Sequence, residues 1–214
     1  MMWSAFKRVS LKFFSAIGLM IVASGVSAIE EPSYKVIKKY AEFEVREYAP
    51  YIVAEVTVPG PADKAGSTAF GYLGGYIFGK NKGAKKIEMT APVSQQQAQT
   101  PVPIKIEMTA PVIQKPLNQE FVVQFTMPKS FTMDTLPEPN DPRVKLREVP
   151  SQTLAVITYS GSWSQSLYDE KLATLRKALQ DEGMKTQGEA IFSRYNGPVS
   201  LPFLRRNEIW LELL

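Results

Sequence analysis

Lys86-Ile87-Glu88-Met89-Thr90-Ala91-Pro92-Val93 recurs unchanged as Lys105-Ile106-Glu107-Met108-Thr109-Ala110-Pro111-Val112. In each copy Ile, Met, Ala and Val fall on one parity, and Lys, Glu, Thr and Pro on the other. That is the period of a β-strand with one buried face. The proline lacks a ladder donor, so each copy should lie at a sheet edge or end there. The polar residues 94–100 between the copies read as a hairpin connection, longer than the usual span of about two to five residues. Two readings of the pair stand side by side. Its apolar face is ordinary core, or Met89 and Met108 form an adaptable pocket wall, since thioethers are flexible and polarisable.

Outward from the repeat, the N-terminus reads as a targeting segment. Lys7, Arg8 and Lys12 precede an apolar run over residues 13–26, and Val26-Ser27-Ala28 has the small residues of a cleavage site. The run falls short of the roughly twenty residues that span a bilayer, so a secretory signal peptide over 1–28 is expected, with one domain over 29–214. The mature protein would be periplasmic or secreted, with no stable membrane span after cleavage. The chain has 25 Lys and Arg against 21 Asp and Glu. Three of those basic residues and none of the acids belong to the segment, so the remainder is near neutral and carries no case for nucleic-acid binding. Cysteine and histidine are both absent. Their absence removes disulfides, Cys-His and Ser-His nucleophiles, ordinary zinc sites and a histidine haem ligand.

Along the chain, residues 34–40, 43–48 and 51–58 read as strands, the third rich in β-branched residues. Over 62–78 the period becomes helical, with Phe70, Leu73 and Ile77 on one face and Tyr76 beside them. Gly71, Gly74 and Gly75 inside that helix each cost about 1 kcal/mol relative to alanine. They imply close approach of the backbone to a sheet or to a flat ligand. Residues 120–127, 143–149 and 152–160 read as strands, and 131–142 as a proline-rich loop. A second helix follows at 165–182, striped by Tyr168, Leu172, Leu175 and Leu179 and stopped at Gly183. Strands at 189–195 and 208–213 close the chain. Strand, helix and two strands (51–58, 62–78, 86–93, 105–112) are thus followed by the same order again (152–160, 165–182, 189–195, 208–213). The expected fold is α+β, a duplicated β-α-β-β unit with two helices against a curved, largely antiparallel sheet.

The chemical motifs mostly fail. Gly74 through Gly79-Lys80-Asn81 approaches a phosphate-binding loop, but Asn81 replaces Ser or Thr and the stretch ends a helix. Gly161-Ser162-Trp163-Ser164-Gln165 lacks the spacing of a nucleophile elbow. Glu88 and Glu107 lie on the polar parity and read as solvated surface. Arg205-Arg206-Asn207-Glu208 reads as an anion clamp or a surface network. No enzyme signature survives.

Tyr34-Lys35-Val36, Phe43 to Tyr48, Ala69-Phe70 and Tyr76 to Asn81 resemble the N-terminal half of the SOUL haem-binding protein family. The Met-Thr-Ala-Pro-Val segments look like that family's most diagnostic motif. Phe125 to Pro128, Leu136 to Pro139, Val156 to Gly161 and Arg205 to Trp210 are similar to its C-terminal blocks. The resemblance runs from Tyr34 to the end. It implies a distorted antiparallel β-barrel with two helices, with the repeat as two barrel strands whose methionines are core. It further implies haem or a related tetrapyrrole as ligand, at a hydrophobic surface around the first helix. Carried over by position, Phe70, Leu73, Tyr76 and Ile77 would line that surface. Histidine, the axial ligand in some members, is missing here, and Tyr72 stands where others have a lysine. Tyr72 is then a phenolate ligand to iron, or haem is held without coordination, or haem is not the physiological ligand. An apolar groove needs no ligand, so binding without coordination comes first, and Tyr72 itself reads first as an ordinary core or surface tyrosine. The function expected is an exported tetrapyrrole carrier, buffer or scavenger. The alternatives are an enzyme acting on haem or another small hydrophobic molecule, by degradation or iron removal, and a ligand-free envelope interaction protein.

Overall fold

Residues whose apolar side chains recur at every second position form a single sheet in the computed structural model, which describes residues 29–83, 103–117, 120–197 and 199–214. The expected leader (1–28), the first octapeptide copy (86–93) and the linker after it (94–100) lie outside the described residues. The elements are β1 (Tyr34–Lys39), β2 (Glu44–Tyr48), β3 (Tyr51–Pro59), α1 (Ala62–Ile77), β4 (Val112–Leu117), β5 (Glu120–Thr126), β6 (Lys145–Val149), β7 (Gln152–Tyr159), α2 (Gln165–Asp181), β8 (Thr186–Arg194) and β9 (Asn207–Leu213). Every strand pairing is antiparallel, and the sheet order is β1-β2-β7-β9-β8-β4-β5-β3-β6. The fold is α+β, as expected: nine strands curl into a half-barrel and two helices cover it.

The order in the sheet displays the duplication. β3-α1-β4-β5 and β7-α2-β8-β9 occupy equivalent places on either side of the β4–β8 seam. α1 packs on β3 and β5, and α2 on β7 and β9. β2 and β6, which lead into the two units, exchange partners, β2 pairing with β7 and β6 with β3. The pairs Tyr48↔Gln152 and Tyr51↔Val149 belong to one uninterrupted register, so the two pairings form a single bent ribbon. Pro50 and Pro150 sit at its bend, where the missing donors interrupt the ladder and let the sheet turn. This corner draws the sheet into its curl.

The two-residue period sorts the core into an inside and an outside. Ala54, Val56 and Val58 of β3 face α1, together with Ala65, Ala69 and Leu73. Ala155, Ile157, Ile209 and Leu211 face Leu175 and Leu179 of α2. The opposite parity, with Tyr48, Tyr51, Val53, Leu154, Val156, Ile113 and Trp210, fills the concave side. Helix α2 is capped by the Ser164 hydroxyl, which accepts from the Leu167 N–H at 3.4 Å. It stops at Gly183, whose φ of +67° allows the Met184 N–H to reach back to the Leu179 carbonyl at 2.9 Å.

The second octapeptide copy is not a strand. Residues 103–111 make no ladder, and only its last residue, Val112, enters β4. The Ile106 N–H donates to the Ile77 carbonyl at the end of α1 (2.8 Å), and the Ala110 N–H to the Glu30 carbonyl (2.9 Å). The Thr109 hydroxyl donates to the Thr126 carbonyl. These partners lie on α1, on β5 and on the segment before β1, so the segment is a crossing held across the helix end and not a sheet member. Its alternation is correspondingly lost: Ile106, Thr109 and Ala110 are buried while Met108 is 43% exposed. Met108 is therefore not barrel core, and Met89 lies outside the described residues. The strands after α1 are instead β4 and β5. β4 was hidden from periodicity because Gln114-Lys115-Pro116 does not alternate; Gln114 is buried with its amide donating to the Ala62 carbonyl at 3.0 Å.

Candidate functional site

Helix α1 has two faces with opposite characters. Ala65, Ala69, Leu73, Tyr76 and Ile77 are buried against β3 and β5. The outward arc runs through Ser67, Thr68, Gly71, Gly74 and Gly75 at the 100° step of the helix. The glycines do not serve helix–sheet packing. A methyl at Gly71 would meet no atom within 4 Å, one at Gly74 would meet the Phe70 ring at 3.1 Å, and one at Gly75 the Lys80 stem at 3.0 Å. Of three glycines that weaken a helix by about 1 kcal/mol each, Gly71 leaves open surface, while buried Gly74 and half-buried Gly75 make room for the Phe70 ring and the Lys80 stem to lie along the helix. Gly66 differs: its missing side chain admits the Arg194 guanidinium, 3.1 Å from where a methyl would stand.

The structure separates the five candidate residues. Leu73 and Ile77 are core residues that support the helix from beneath, because the helical period turns them toward the sheet, while Tyr76, also buried, lines the cleft that opens beside Tyr72. Phe70 borders the open surface at Gly71 on one side, 42% exposed, with its ring edge-on to buried Phe125 at 5.6 Å. Tyr72, half-buried, borders it on the other.

On the Tyr72 side lies a cleft of about 390 Å³, lined by Thr68, Gly71, Tyr72, Lys80, Asp141 and Arg143 among others. Its far wall is the proline-rich loop, fastened to the end of α1. The Tyr76 hydroxyl donates to the Pro137 carbonyl (2.9 Å), the Lys82 N–H to the Glu138 carbonyl (2.8 Å), and the Asn140 N–H to the Lys80 carbonyl (3.2 Å). Asn81 completes the junction. Its amide donates to the carbonyls of Tyr76 (3.0 Å) and Ile104 (2.7 Å), and its oxygen accepts from the N–H groups of Gly83 (3.2 Å) and Ile104 (3.0 Å). The asparagine that broke the phosphate-loop pattern is a buried structural hub. Within the cleft, the Arg143 guanidinium lies 4.1 Å from the Tyr72 ring centre and donates to its hydroxyl at 3.2 Å. Asp141 grips Arg143 through two bonds of 2.9 and 2.7 Å, and that pairing holds the Asp141 carboxyl down at about 2.

On the Phe70 side, the β8–β9 loop presents Val199, Leu201, Phe203 and Leu204 to solvent, Phe203 at 70% exposure. This loop leaves the sheet at Arg194, in the cross-strand row Arg194–Val112–Phe125 that ends beneath Phe70. Two strand spacings, about 10 Å, separate the ends of that row. Trp163 lies alongside, with the guanidinium groups of Arg194 and Arg205 at 4.8 and 4.3 Å from its ring centre. Sequence reasoning missed these residues. The available signal was four apolar side chains in a Pro-Gly-punctuated loop with no period that would bury them.

Arg205-Arg206-Asn207-Glu208 is neither a clamp nor a surface network. Glu208 is fully buried on the concave side of the sheet. One of its oxygens accepts from Arg46 (3.0 Å), from Arg206 (3.0 and 2.8 Å) and from Thr158 (3.2 Å). The other accepts from the Tyr195 hydroxyl and the Trp210 indole, both at 2.8 Å. Burial alone would raise its pKa, but Arg46, Arg206 and these hydrogen bonds outweigh that and hold it below the usual carboxylate range. The Glu208 region is thus filled by the protein's own side chains; open space lies in the cleft beside α1 and in a second cavity of about 400 Å³ near the β2–β3 corner, lined by Glu31, Tyr51, Thr109, Met127 and Phe131 among others. Among the described residues no group of three His, Cys, Asp or Glu side chains is placed to hold a metal ion, and no helix is long and apolar enough to cross a membrane.

Comparison with known proteins follows the same architecture. The family model described as SOUL heme-binding protein matches residues 29–212. Heme-binding protein 2 of Homo sapiens is 28% identical over 195 residues, covering 88% of each chain. Heme-binding protein 1 of Bos taurus is 26% identical over 198 residues, covering 90% of this chain and 96% of that one. Among solved structures, the EcmrR C-terminal domain superposes with a TM-score of 0.56 at 12% identity, covering 85% of this chain and 98% of the other. A hydrolase from Listeria innocua superposes at 0.53 and 13% identity, covering 83% and 94%. Those two likenesses speak for the fold alone.

Proposed function

The chain belongs to the SOUL haem-binding protein family, and on that footing we propose that it binds haem or a related tetrapyrrole over the outer arc of α1 and acts as an exported carrier, buffer or scavenger. The observation that carries this reading is the open helix surface at Gly71, bordered by Phe70 and Tyr72, with the Phe70 ring lying over Gly74. A planar macrocycle needs a surface without protruding side chains, and stacking against it removes apolar area from water at about 25 cal/mol per Å². Phe70 is braced by Phe125, so little side-chain freedom is lost when a ligand covers it. The apolar β8–β9 loop supplies further covering surface. When bound, haem would contribute its iron chemistry, and the residues named here would hold it and exclude water from one of its faces. Export rests on the basic, apolar and small-residue succession in residues 1–28.

Titration of haemin into the protein should give a saturable Soret shift near one equivalent. Phe70→Asp should abolish it by placing a charge on the stacking surface, with the circular dichroism spectrum unchanged. A flat titration at micromolar protein overturns the proposal. Gly71→Ala separates ligand contact from folding. It should raise the unfolding free energy by about 0.5–1 kcal/mol, because the added methyl meets open space and restricts the unfolded chain. The same methyl should weaken haemin binding, since it protrudes from the arc. A variant that gains stability and keeps full affinity would move the ligand elsewhere.

A further inference from the structure

The second octapeptide copy is fixed against the cavity at the β2–β3 corner, which the tetrapyrrole reading leaves unused. We propose that this cavity, about 400 Å³ in volume, is a binding site for a small organic ammonium ion with an apolar body. It shares no residue with the cleft beside Tyr72. Its size falls in the range of about 300–1,000 Å³ found for small-molecule pockets. Its walls are preformed. Residues 30–33 make one wall, held where the Ala110 N–H donates to the Glu30 carbonyl (2.9 Å) and the Ala49 N–H to the Ser33 carbonyl (3.0 Å). Residues 128–133 make the other, in a turn closed by the Phe131 N–H on the Pro128 carbonyl (3.0 Å) and by the mutual bonds of Thr132 and Thr135. The Lys129 N–H donates to Glu30 Oε1 at 2.7 Å and ties the two walls together. Tyr51, Ile52, Thr126 and Met127 line the cavity from the sheet.

Two independent features select the ligand. The first is charge. Glu30, Glu31 and Glu148 line the cavity against Lys129. Arg206 answers Glu31 at 2.9 Å, while Glu30 and Glu148 enter no ion pair among the described residues. One negative charge is left in excess, which a monocation cancels. Burial pushes the Tyr51 phenol up to about 12, so it stays neutral and adds no charge. The second feature is Thr126. It is 4% exposed, and its hydroxyl has no hydrogen-bond partner, an uncommon state for a buried polar group. The register Val53↔Thr126 puts its side chain on the concave face with Val53 and Tyr51. A step of χ1 trades the positions of its hydroxyl and methyl, so a donor in the cavity can claim it. The octapeptide brings the two features together: Thr109 donates to the Thr126 carbonyl, and its neighbour Ala110 to that of Glu30. An ammonium between Glu30 and Thr126 thus meets a carboxylate and a hydroxyl acceptor. Phe131, Met127 and Met133 receive the apolar body, the thioethers adapting to its shape.

The test titrates the protein with phenethylamine, which is protonated at neutral pH, and with phenethyl alcohol and hydrocinnamate, which carry a similar apolar body on a neutral or a negative head. Calorimetry should give one saturable site for the amine, with a Kd of about 1 mM or tighter. The alcohol should bind at least about tenfold more weakly, as expected for losing a charged hydrogen-bond donor, and hydrocinnamate should not bind. Amide NMR signals should move at Tyr51, Thr109 and residues 126–133 and stay in place along α1. Glu30→Gln keeps an oxygen for the Lys129 N–H and removes only the charge, so it should weaken the amine by about tenfold. Thr126→Val keeps the shape and breaks no side-chain hydrogen bond of the free protein, so it should weaken the amine without lowering the unfolding midpoint. A flat amine titration, equal binding of amine and alcohol, signals that move along α1 alone, or full affinity in both variants overturns the site.

Discussion

Glu208→Ala should unfold at much lower denaturant than the parent protein, with a loss of about 3–5 kcal/mol. The alanine removes an acceptor shared by two guanidinium groups, a phenol, an indole and a hydroxyl, all within hydrogen-bond reach of one buried carboxylate. Arg46 comes from β2 and keeps Glu44 at 2.8 Å through its Nε, but its side chain is only 5% exposed, so the Nη1 that loses Glu208 cannot turn to water. Arg206 retains Glu31, at 2.9 Å, and suffers less. Glu208→Gln should lose a comparable amount, because its amide presents donors to a ring of donors. The same carboxylate makes stability fall in acid. Its folded-state pKa is depressed, so its contribution is complete above the unfolded value of about 4.3 and is lost as pH falls through the lower folded value. The gap in unfolding free energy between parent and Glu208→Gln should therefore be widest near neutrality and shrink below about pH 4. A gap independent of pH would mean that Glu208 is not ionised in the folded protein.

Asn81→Ala is the second large effect expected, a loss of about 3 kcal/mol in equilibrium unfolding. All four hydrogen-bonding positions of this side chain are occupied, and every partner is a backbone group. Truncation leaves the Tyr76 carbonyl and the two polar groups of Ile104 without that partner, in a junction shared by the end of α1, the crossing segment and the proline-rich loop. Asn81→Asp should be no better, since two donors become acceptors facing carbonyl oxygens. Hydrogen exchange should report the damage locally, with faster exchange at Ile104 and Ile106 than in β7 and β9. Uniform acceleration across the sheet would argue against a local hub.

The two helices were legible because a 3.6-residue apolar period over sixteen or seventeen residues admits few other structures. The octapeptide was misleading for the converse reason. Four alternating apolar residues match a strand, but a strand exists only where a neighbour offers a ladder, and the second copy finds Ile77, Glu30 and Thr126 instead. Local pattern placed Phe70 on the first helix, and the resemblance added Tyr72, without showing which face of that helix would be free. Phe70, Leu73 and Ile77 share a stripe, yet the sheet covers Leu73 and Ile77 and reaches only one edge of Phe70.

By itself, the sequence determined the duplicated α+β plan, the family, and the absence of histidine and cysteine that narrows any iron ligand to oxygen, amine or thioether. These follow from residue identities and short periods, which the local chain carries wherever it goes. The partner exchange of β2 and β6, the buried Glu208 network and the open surface at Gly71 beside Tyr72 and Arg143 were decided by the tertiary structure. Arg46 and Glu208 stand 162 positions apart, and Tyr72 and Arg143 stand 71 apart. Whether such a charge is solvated or sealed depends on which strands the closed chain sets on either side of it.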